Sequence, residues 1–154
     1  MGRATGTYQE LSEDSGLNVR DAAKAISNYG LCQESLWPYD VTKFTLLPPL
    51  NAFQKSIKPT NYVYTFVAQD LASIKACFIT NKVPIIFGLE LYDSFFSETV
   101  AKTGIVPMPN FKTEKSQGGH CSVMVGYDDS KQWFICANSW GTGWGDKGYY
   151  YLPY

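Results

Sequence analysis

Two short motifs in the last third of the chain constrain it more than any other feature. Residues 118–121 read Gly-Gly-His-Cys and residues 138–141 read Asn-Ser-Trp-Gly, so that Asn138 follows His120 by eighteen positions. His120 is the only histidine among the 154 residues. Any imidazole chemistry in this chain therefore has to take place at this one position.

The segment between the two motifs has the pattern of a single β-hairpin. Apolar residues dominate 122–127 and 133–137, and the polar residues 128–131 between them are typical of a turn. Folding the hairpin about that turn places His120 opposite Asn138 and Ser139. A side-chain amide that faces an imidazole can hold the ring in one tautomer, which is a requirement of thiol-protease chemistry.

Composition and charge argue against several other kinds of function. The chain is 45% apolar and 18% charged with a net charge of −1, so we expect neither nucleic acid nor membrane partners. No apolar run is long enough to cross a bilayer and residues 1–6 lack a signal-peptide core, which predicts a soluble protein of undetermined location. With four cysteines, no Cys-x-x-Cys pair and one histidine, we expect no metal site and no cofactor.

The spacing of apolar residues predicts an α+β chain. A first helix is expected from a cap at Asn18 to a stop at Gly30, and a second helix begins near Asp70 and buries Leu71, Ile74 and Phe78. Strands are expected at 61–67, at 84–91, in the hairpin and at 148–152, whereas 94–116 is expected to be a loop. The order is helix, long loop and then mainly antiparallel strands with one helix inserted.

Three residues of the two motifs fit parts of a cysteine-protease site. Such a site needs a thiolate beside an imidazolium, a group that orients the imidazole, and donors for the oxyanion. His120 and Asn138 fit the imidazole and its orienting amide, and an indole at Trp140 can exclude water from the hydrogen bond between them. Residues 141–146 fail the dinucleotide-binding pattern, because Asp146 stands where the third glycine belongs and no helix follows.

These motifs resemble the C-terminal half of the papain-family, cathepsin-like cysteine peptidases. The matching segments are 118–120, 125–127, 138–145 and 148–149, together with Ser15-Gly16, Tyr29-Gly30 and 37–39. The resemblance implies one domain with the papain-like cysteine proteinase fold, in which 1–60 is a partial left helical lobe and 61–154 a right antiparallel β-barrel-like lobe. It also implies a hydrolase that cleaves peptide bonds of peptide or protein substrates with a Cys-His-Asn site.

Carried over position by position, the resemblance implies a role for seven residues. His120 corresponds to the catalytic histidine and Asn138 to the amide that orients it. The other five correspond to residues of the cleft: Trp140 as the shield over that pair, Trp144 as part of the primed-side wall, Gly16 as the main-chain partner of the substrate P2 residue, and Gly118 and Cys121 as lining of the S2 pocket.

The nucleophile of the family has no counterpart in this sequence. The family carries it in a Gln-x-x-x-Cys-Gly-x-Cys-Trp block that opens the central helix, and no segment here matches that block. Cys121 adjoins His120, but consecutive residues of a strand point to opposite faces. The remaining thiols are not expected near the imidazole: Cys32, Cys77 and Cys136.

Two hypotheses about function remain open. In the first, the chain is the His/Asn-bearing portion of a papain-like cysteine endopeptidase whose thiol comes from an N-terminal segment or a second polypeptide. In the second, it is a catalytically inactive papain-like domain that binds peptides or proteins, or has a structural role. Without the central helix, each large apolar side chain left bare forgoes roughly 1.5–3 kcal/mol. The bare apolar surface predicts that the isolated chain associates with itself or with another polypeptide, and the missing nucleophile predicts that it is inactive.

Overall fold

The computed structural model describes residues 16–154, which belong to two units, one that ends at Thr65 and one from Phe66 to Tyr154. The chain is α+β, as the sequence predicts, with short helices and one antiparallel sheet. The lobe boundary predicted after residue 60 stays a prediction, and Ser15 of the Ser-Gly motif lies outside the described residues. Among the helices of the described part, none is long and apolar enough to span a bilayer.

The first unit contains helices α1 (Val19–Tyr29) and α2 (Leu50–Gln54). Asn18 caps α1 by accepting the Arg20 N–H at 2.9 Å, and Gly30 ends the helix with a φ of +78°. A Cβ at Gly30 would lie 2.6 Å from the Ile57 carbonyl oxygen, so the chain can pass here only as glycine. The predicted helix, its cap and its stop are confirmed.

The strand predicted at 61–67 is wrong. Residues 62–68 have no regular structure, and Phe66 is 90% exposed. A strand needs a hydrogen-bonded neighbour, and none of the strands described here pairs with this segment. The alternation of aromatic residues is present in the sequence, but it cannot supply the pairing partner.

The second unit is built on a four-stranded antiparallel sheet in the order β1-β2-β3-β4. The strands are β1 (Ile85–Tyr92), β2 (Ser116–Asp128), β3 (Trp133–Ala137) and β4 (Tyr149–Pro153). Burial alternates along β1 and β3, and the inward side chains pack in a core around Phe95, Val100 and Tyr150. The predicted hairpin, the strand before it and the last strand are confirmed.

Helices flank this sheet, and one of them was not expected. Helix α3 (Leu71–Ala76) begins at the predicted cap Asp70 and continues as a wider turn at Cys77–Asn81. Ile74 and Phe78 pack against the core as predicted, but the predicted burial of Leu71 is wrong: Leu71, in the first turn of the helix, is 41% exposed. Within the predicted loop 94–116, residues Asp93–Phe96 form a 3₁₀ turn and Glu98–Thr103 form α4.

The turn of the β2–β3 hairpin is fastened to α3. Lys75 forms an ion pair with Asp129, and its ammonium lies 4.4 Å from the centroid of the Tyr154 ring. The Tyr154 hydroxyl donates to the same carboxylate at 2.8 Å. The hydrogen bond from Lys75 holds the pKa of Asp129 below its usual value. These contacts fix the closed end of the hairpin whose open end carries the two motifs.

Candidate active site

A β-bulge puts the two motif side chains on one face of the sheet. The β2–β3 register changes by one residue between positions 124 and 126, where β2 accommodates an extra residue. Beyond the bulge Val123 pairs with Ala137, so the next pair along the ladder joins positions 122 and 138. Positions 120, 122 and 138 therefore share a face. In a ladder without the bulge, position 138 would pair with 123, and His120 and Asn138 would point to opposite faces.

His120 and Asn138 form a hydrogen bond whose direction is fixed by their surroundings. Nε2 of His120 lies 2.9 Å from Oδ1 of Asn138. The same atom accepts the backbone N–H of Ser139 at 2.8 Å, and because a main-chain N–H can only donate, the atom has to be the amide oxygen. Nε2 must then carry the proton, which leaves Nδ1 as the basic nitrogen of the neutral ring.

Aromatic rings lie beside the imidazole of this pair. The Trp140 ring centroid is 5.3 Å from that of His120 and 5.0 Å from that of Trp144. Phe95 is buried and packs against both indoles, edge-on to Trp140 at 5.7 Å and stacked on Trp144 at 5.6 Å. Phe96 stacks on Trp140 at 5.8 Å. Sequence reasoning misses both phenylalanines, although the Ser-x-x-Val cap that follows them in the sequence indicates a short helix at this point.

The loop that carries Trp144 is attached to the segment around α4 by main-chain contacts. The Gly145 N–H donates to the Ala101 carbonyl at 2.7 Å. Gly145 has a φ of +61°, and a Cβ at this position would overlap the Tyr149 carbonyl oxygen. Glycine is therefore required where the loop passes β4, and this close passage holds Trp144 against Phe95.

Of the three residues expected to contact substrate, two are on β2 and one belongs to the first unit. Gly118, with a φ of +99°, is near the irregular end of the β1–β2 ladder, and a Cβ there would meet no atom within 4 Å. Cys121 is exposed and pairs with Gly88, on the face opposite to His120. Gly16 belongs to the first unit and has a φ of +75°.

The cysteines of this chain are all free thiols. Cys77 and Cys136 are buried, whereas Cys121 is exposed. Burial raises the pKa of Cys136 to about 12, which keeps its thiol protonated at neutral pH. A nucleophilic cysteine has to react as a thiolate, so Cys136 is unsuited to that role. In residues 16–154 no group of three or more His, Cys, Asp and Glu side chains is arranged to hold a metal ion.

We expect iodoacetamide at about pH 8 to alkylate Cys121 in the folded chain and to spare Cys136. A thiol with a pKa of about 12 is deprotonated in only about one molecule in 10⁴ at that pH, and its thiolate fraction rises tenfold for each pH unit. Mass spectrometry of the modified peptides measures both sites. In guanidinium both cysteines should react alike, which is the control; equal modification in the folded chain would contradict the burial of Cys136.

Comparison with known proteins places these motifs in a family. The family model described as papain family cysteine protease matches residues 10–153. An uncharacterized peptidase C1-like protein of Acanthamoeba polyphaga mimivirus is 38% identical over 152 residues, which are 94% of this chain and 48% of that protein. Cysteine proteinase 2 of Entamoeba histolytica is 31% identical over 137 residues, 87% of this chain and 40% of that protein.

The solved structures agree with the sequence comparison. Xylellain, a cysteine protease from Xylella fastidiosa, superposes with a TM-score of 0.82 at 29% identity, over 99% of this chain and 59% of that one. The chain spans about half the length of the curated relatives it matches. Its helices and antiparallel sheet are those of the papain-like α+β fold. From the family model, the relatives and the fold together, the chain belongs to the papain family of cysteine proteases.

Proposed function

We propose that this chain supplies the histidine and the orienting amide of a papain-like cysteine endopeptidase. The observation that carries the proposal is the 2.9 Å hydrogen bond between Nε2 of His120 and Oδ1 of Asn138. Because that bond fixes the proton on Nε2, Nδ1 is the nitrogen that can accept a proton from a thiol. The substrate of the whole protein is then a peptide or protein, and the reaction needs no metal and no cofactor.

In the proposed reaction the imidazole transfers one proton in each half of the cycle. Nδ1 of His120 takes the proton of the nucleophilic thiol, the thiolate attacks the carbonyl carbon of the scissile peptide bond, and the imidazolium protonates the amine that departs as the C–N bond breaks. In the second half Nδ1 takes a proton from the water that attacks the thioester and returns it to the sulfur as the C–S bond breaks. Asn138 keeps the ring in place in both charge states, and Trp140 excludes water from the hydrogen bond.

The remaining residues of the cleft are proposed to bind the peptide. Trp144 forms part of the wall on the leaving-group side, next to Trp140. Gly16 pairs its main chain with the substrate, and Gly118 and Cys121 line the pocket for the P2 side chain. The exposure of Gly118 and Cys121 supports these assignments, because a pocket wall has to be accessible.

We further propose that the nucleophilic thiol belongs to a polypeptide segment other than residues 1–154, either N-terminal to them or in a second chain. Cys136 is held protonated, Cys77 is buried, and Cys121 lies on the opposite face from the imidazole. Cys32 follows α1 in the first unit, where the sequence does not match the nucleophile block of the family. The same cysteine environments favour a second candidate function, an inactive papain-like domain that binds peptides or proteins.

Labelling with a biotinylated peptide vinyl sulfone tests the proposal on the protein purified from its natural source. We expect the label on a cysteine other than Cys32, Cys77, Cys121 and Cys136. The labelled protein or complex should also yield peptides of this chain. The chain produced alone should stay unlabelled. Stoichiometric labelling of one of those four cysteines, lost in His120→Ala, would contradict the assignment of the nucleophile. No label on the native protein would leave the non-catalytic domain as the function.

A further inference from the structure

Ser122 is a polar side chain in the core of the second unit. It is 4% exposed, so its hydroxyl is kept from water. Its hydroxyl donates to the Ala137 carbonyl oxygen at 2.7 Å. A small apolar side chain would fill this space without needing a partner, whereas a buried hydroxyl has to be paired. The specific contribution of Ser122 is therefore its bond to that carbonyl.

The carbonyl that Ser122 binds belongs to the peptide bond leading into Asn138. The N–H of the same peptide bond donates to the Gly148 carbonyl at 2.9 Å. The Ala137–Asn138 peptide is thus held by Gly148 at its nitrogen and by Ser122 at its oxygen, in addition to the ladder pairing of Ala137 with Val123. Since the peptide unit is planar, these contacts limit the directions in which the Asn138 side chain can leave the backbone.

Ser122 also belongs to the strand that carries the histidine. It follows His120 by two residues on β2 and shares its face of the sheet. Its hydroxyl reaches across to the end of β3, where Asn138 begins. The residue therefore ties the backbone under the imidazole to the backbone under the amide, just beyond the bulge that brings the two side chains together.

We infer that Ser122 is a positioning residue for the His120–Asn138 hydrogen bond, acting through the Ala137–Asn138 peptide and not through contact with substrate. The inference rests on the orienting role proposed above for Asn138. When the hydroxyl is removed, the Ala137 carbonyl keeps only the ladder pairing with β2, and the peptide leading into Asn138 is held less firmly in its orientation. Oδ1 then moves away from Nε2, and the imidazole loses part of its tautomer preference.

Nitrogen-15 NMR of the imidazole tests this inference directly. Because His120 is the only histidine, a labelled chain gives one pair of ring nitrogen signals. We expect Ser122→Ala to lower the ratio of the Nε2–H to the Nδ1–H tautomer at least about threefold, the effect of losing one modest hydrogen bond. Ser56→Ala is the matched control, because it removes a hydroxyl-to-carbonyl bond of 2.8 Å to Ala52 within the first unit and should leave the ratio unchanged.

Three further variants distinguish the effect of the hydroxyl from that of side-chain shape, and the inference from the proposed function. Ser122→Thr keeps the hydroxyl and should keep the ratio. Ser122→Val has nearly the shape of threonine without the hydroxyl, so it should lower the ratio relative to Ser122→Thr even if Ser122→Ala does not fold. Asn138→Ala gives the value for a missing amide. A wild-type ratio in Ser122→Ala and Ser122→Val, with a lowered ratio in Asn138→Ala, would overturn the inference about Ser122 and leave the orienting role of Asn138 intact. An unchanged ratio in Asn138→Ala would overturn the orienting role itself.

Discussion

Gly145→Ala is expected to lower the free energy of unfolding of the second unit by at least about 3 kcal/mol. The left-handed conformation at φ +61° costs an alanine about 1–2 kcal/mol, and the new methyl group overlaps the Tyr149 carbonyl, which belongs to the backbone and cannot turn aside. That carbonyl also accepts the Asp146 N–H at 3.0 Å. Relief of the overlap would therefore break a bond that closes the loop onto β4.

Thermal unfolding measures this effect, and a glycine two residues away provides the control. At roughly 4–8 °C per kcal/mol for a unit of this size, Gly145→Ala should lower the Tm by at least about 12 °C. A Cβ at Gly143 would meet no atom within 4 Å, so Gly143→Ala should stay within about 0.5 kcal/mol of wild type. Similar Tm values for the two variants would contradict the close passage of the loop over β4.

The strain that Gly145→Ala introduces into the loop should also affect the proposed site. Trp144 lies next to Gly145 and stacks on Phe95, which in turn contacts Trp140 edge-on. A displaced loop would thus loosen the aromatic support of the imidazole before the unit unfolds. For this reason Gly145→Ala should also broaden the ring signals of His120 below the unfolding temperature.

The pairing of His120 with Asn138 could be predicted from the sequence, but the bulge that permits it could not. The two motifs and the turn between them indicate which residues meet. Val123, Met124 and Val125 are consecutive apolar residues, so alternation does not reveal which of them is the extra one. The choice depends on which face is buried: Met124 is in the core and Val125 is exposed. Only the packed sheet determines this.

The aromatic support of the site illustrates a second limit of sequence reasoning. Trp140 is part of a recognisable motif, but Phe95 and Phe96 precede it by more than forty positions in a segment with two prolines. The local pattern predicts a loop there, and it says nothing about which residues the two phenylalanines contact. The contact with the tryptophans arises because α4 packs against the loop 141–148 through Ala101 and Gly145. Long-range packing of this kind has no periodic signal in the sequence.

Trp140→Ala is expected to accelerate solvent exchange of the His120 Nε2 proton about tenfold or more, because the indole keeps water from the hydrogen bond to Asn138. The Trp140 ring lies 5.3 Å from the imidazole and is held by Phe96 and Trp144. At 40% exposure its outer part is in water, so its removal opens a path from the solvent to the proton. Trp140→Phe retains part of the cover and should give an intermediate rate.

The exchange rate can be measured from the downfield proton signal of the imidazole by saturation transfer, with a second tryptophan as control. Trp133 stacks on Tyr151 with a centroid distance of 4.6 Å near the closed end of the hairpin, so Trp133→Ala removes an indole from the same sheet without uncovering His120. Faster exchange in Trp140→Ala alone would support shielding of the proposed catalytic pair. Equal exchange rates in both variants and in the wild type would show that the hydrogen bond to Asn138 protects the proton without help from the indole. The role of Trp140 would then be packing.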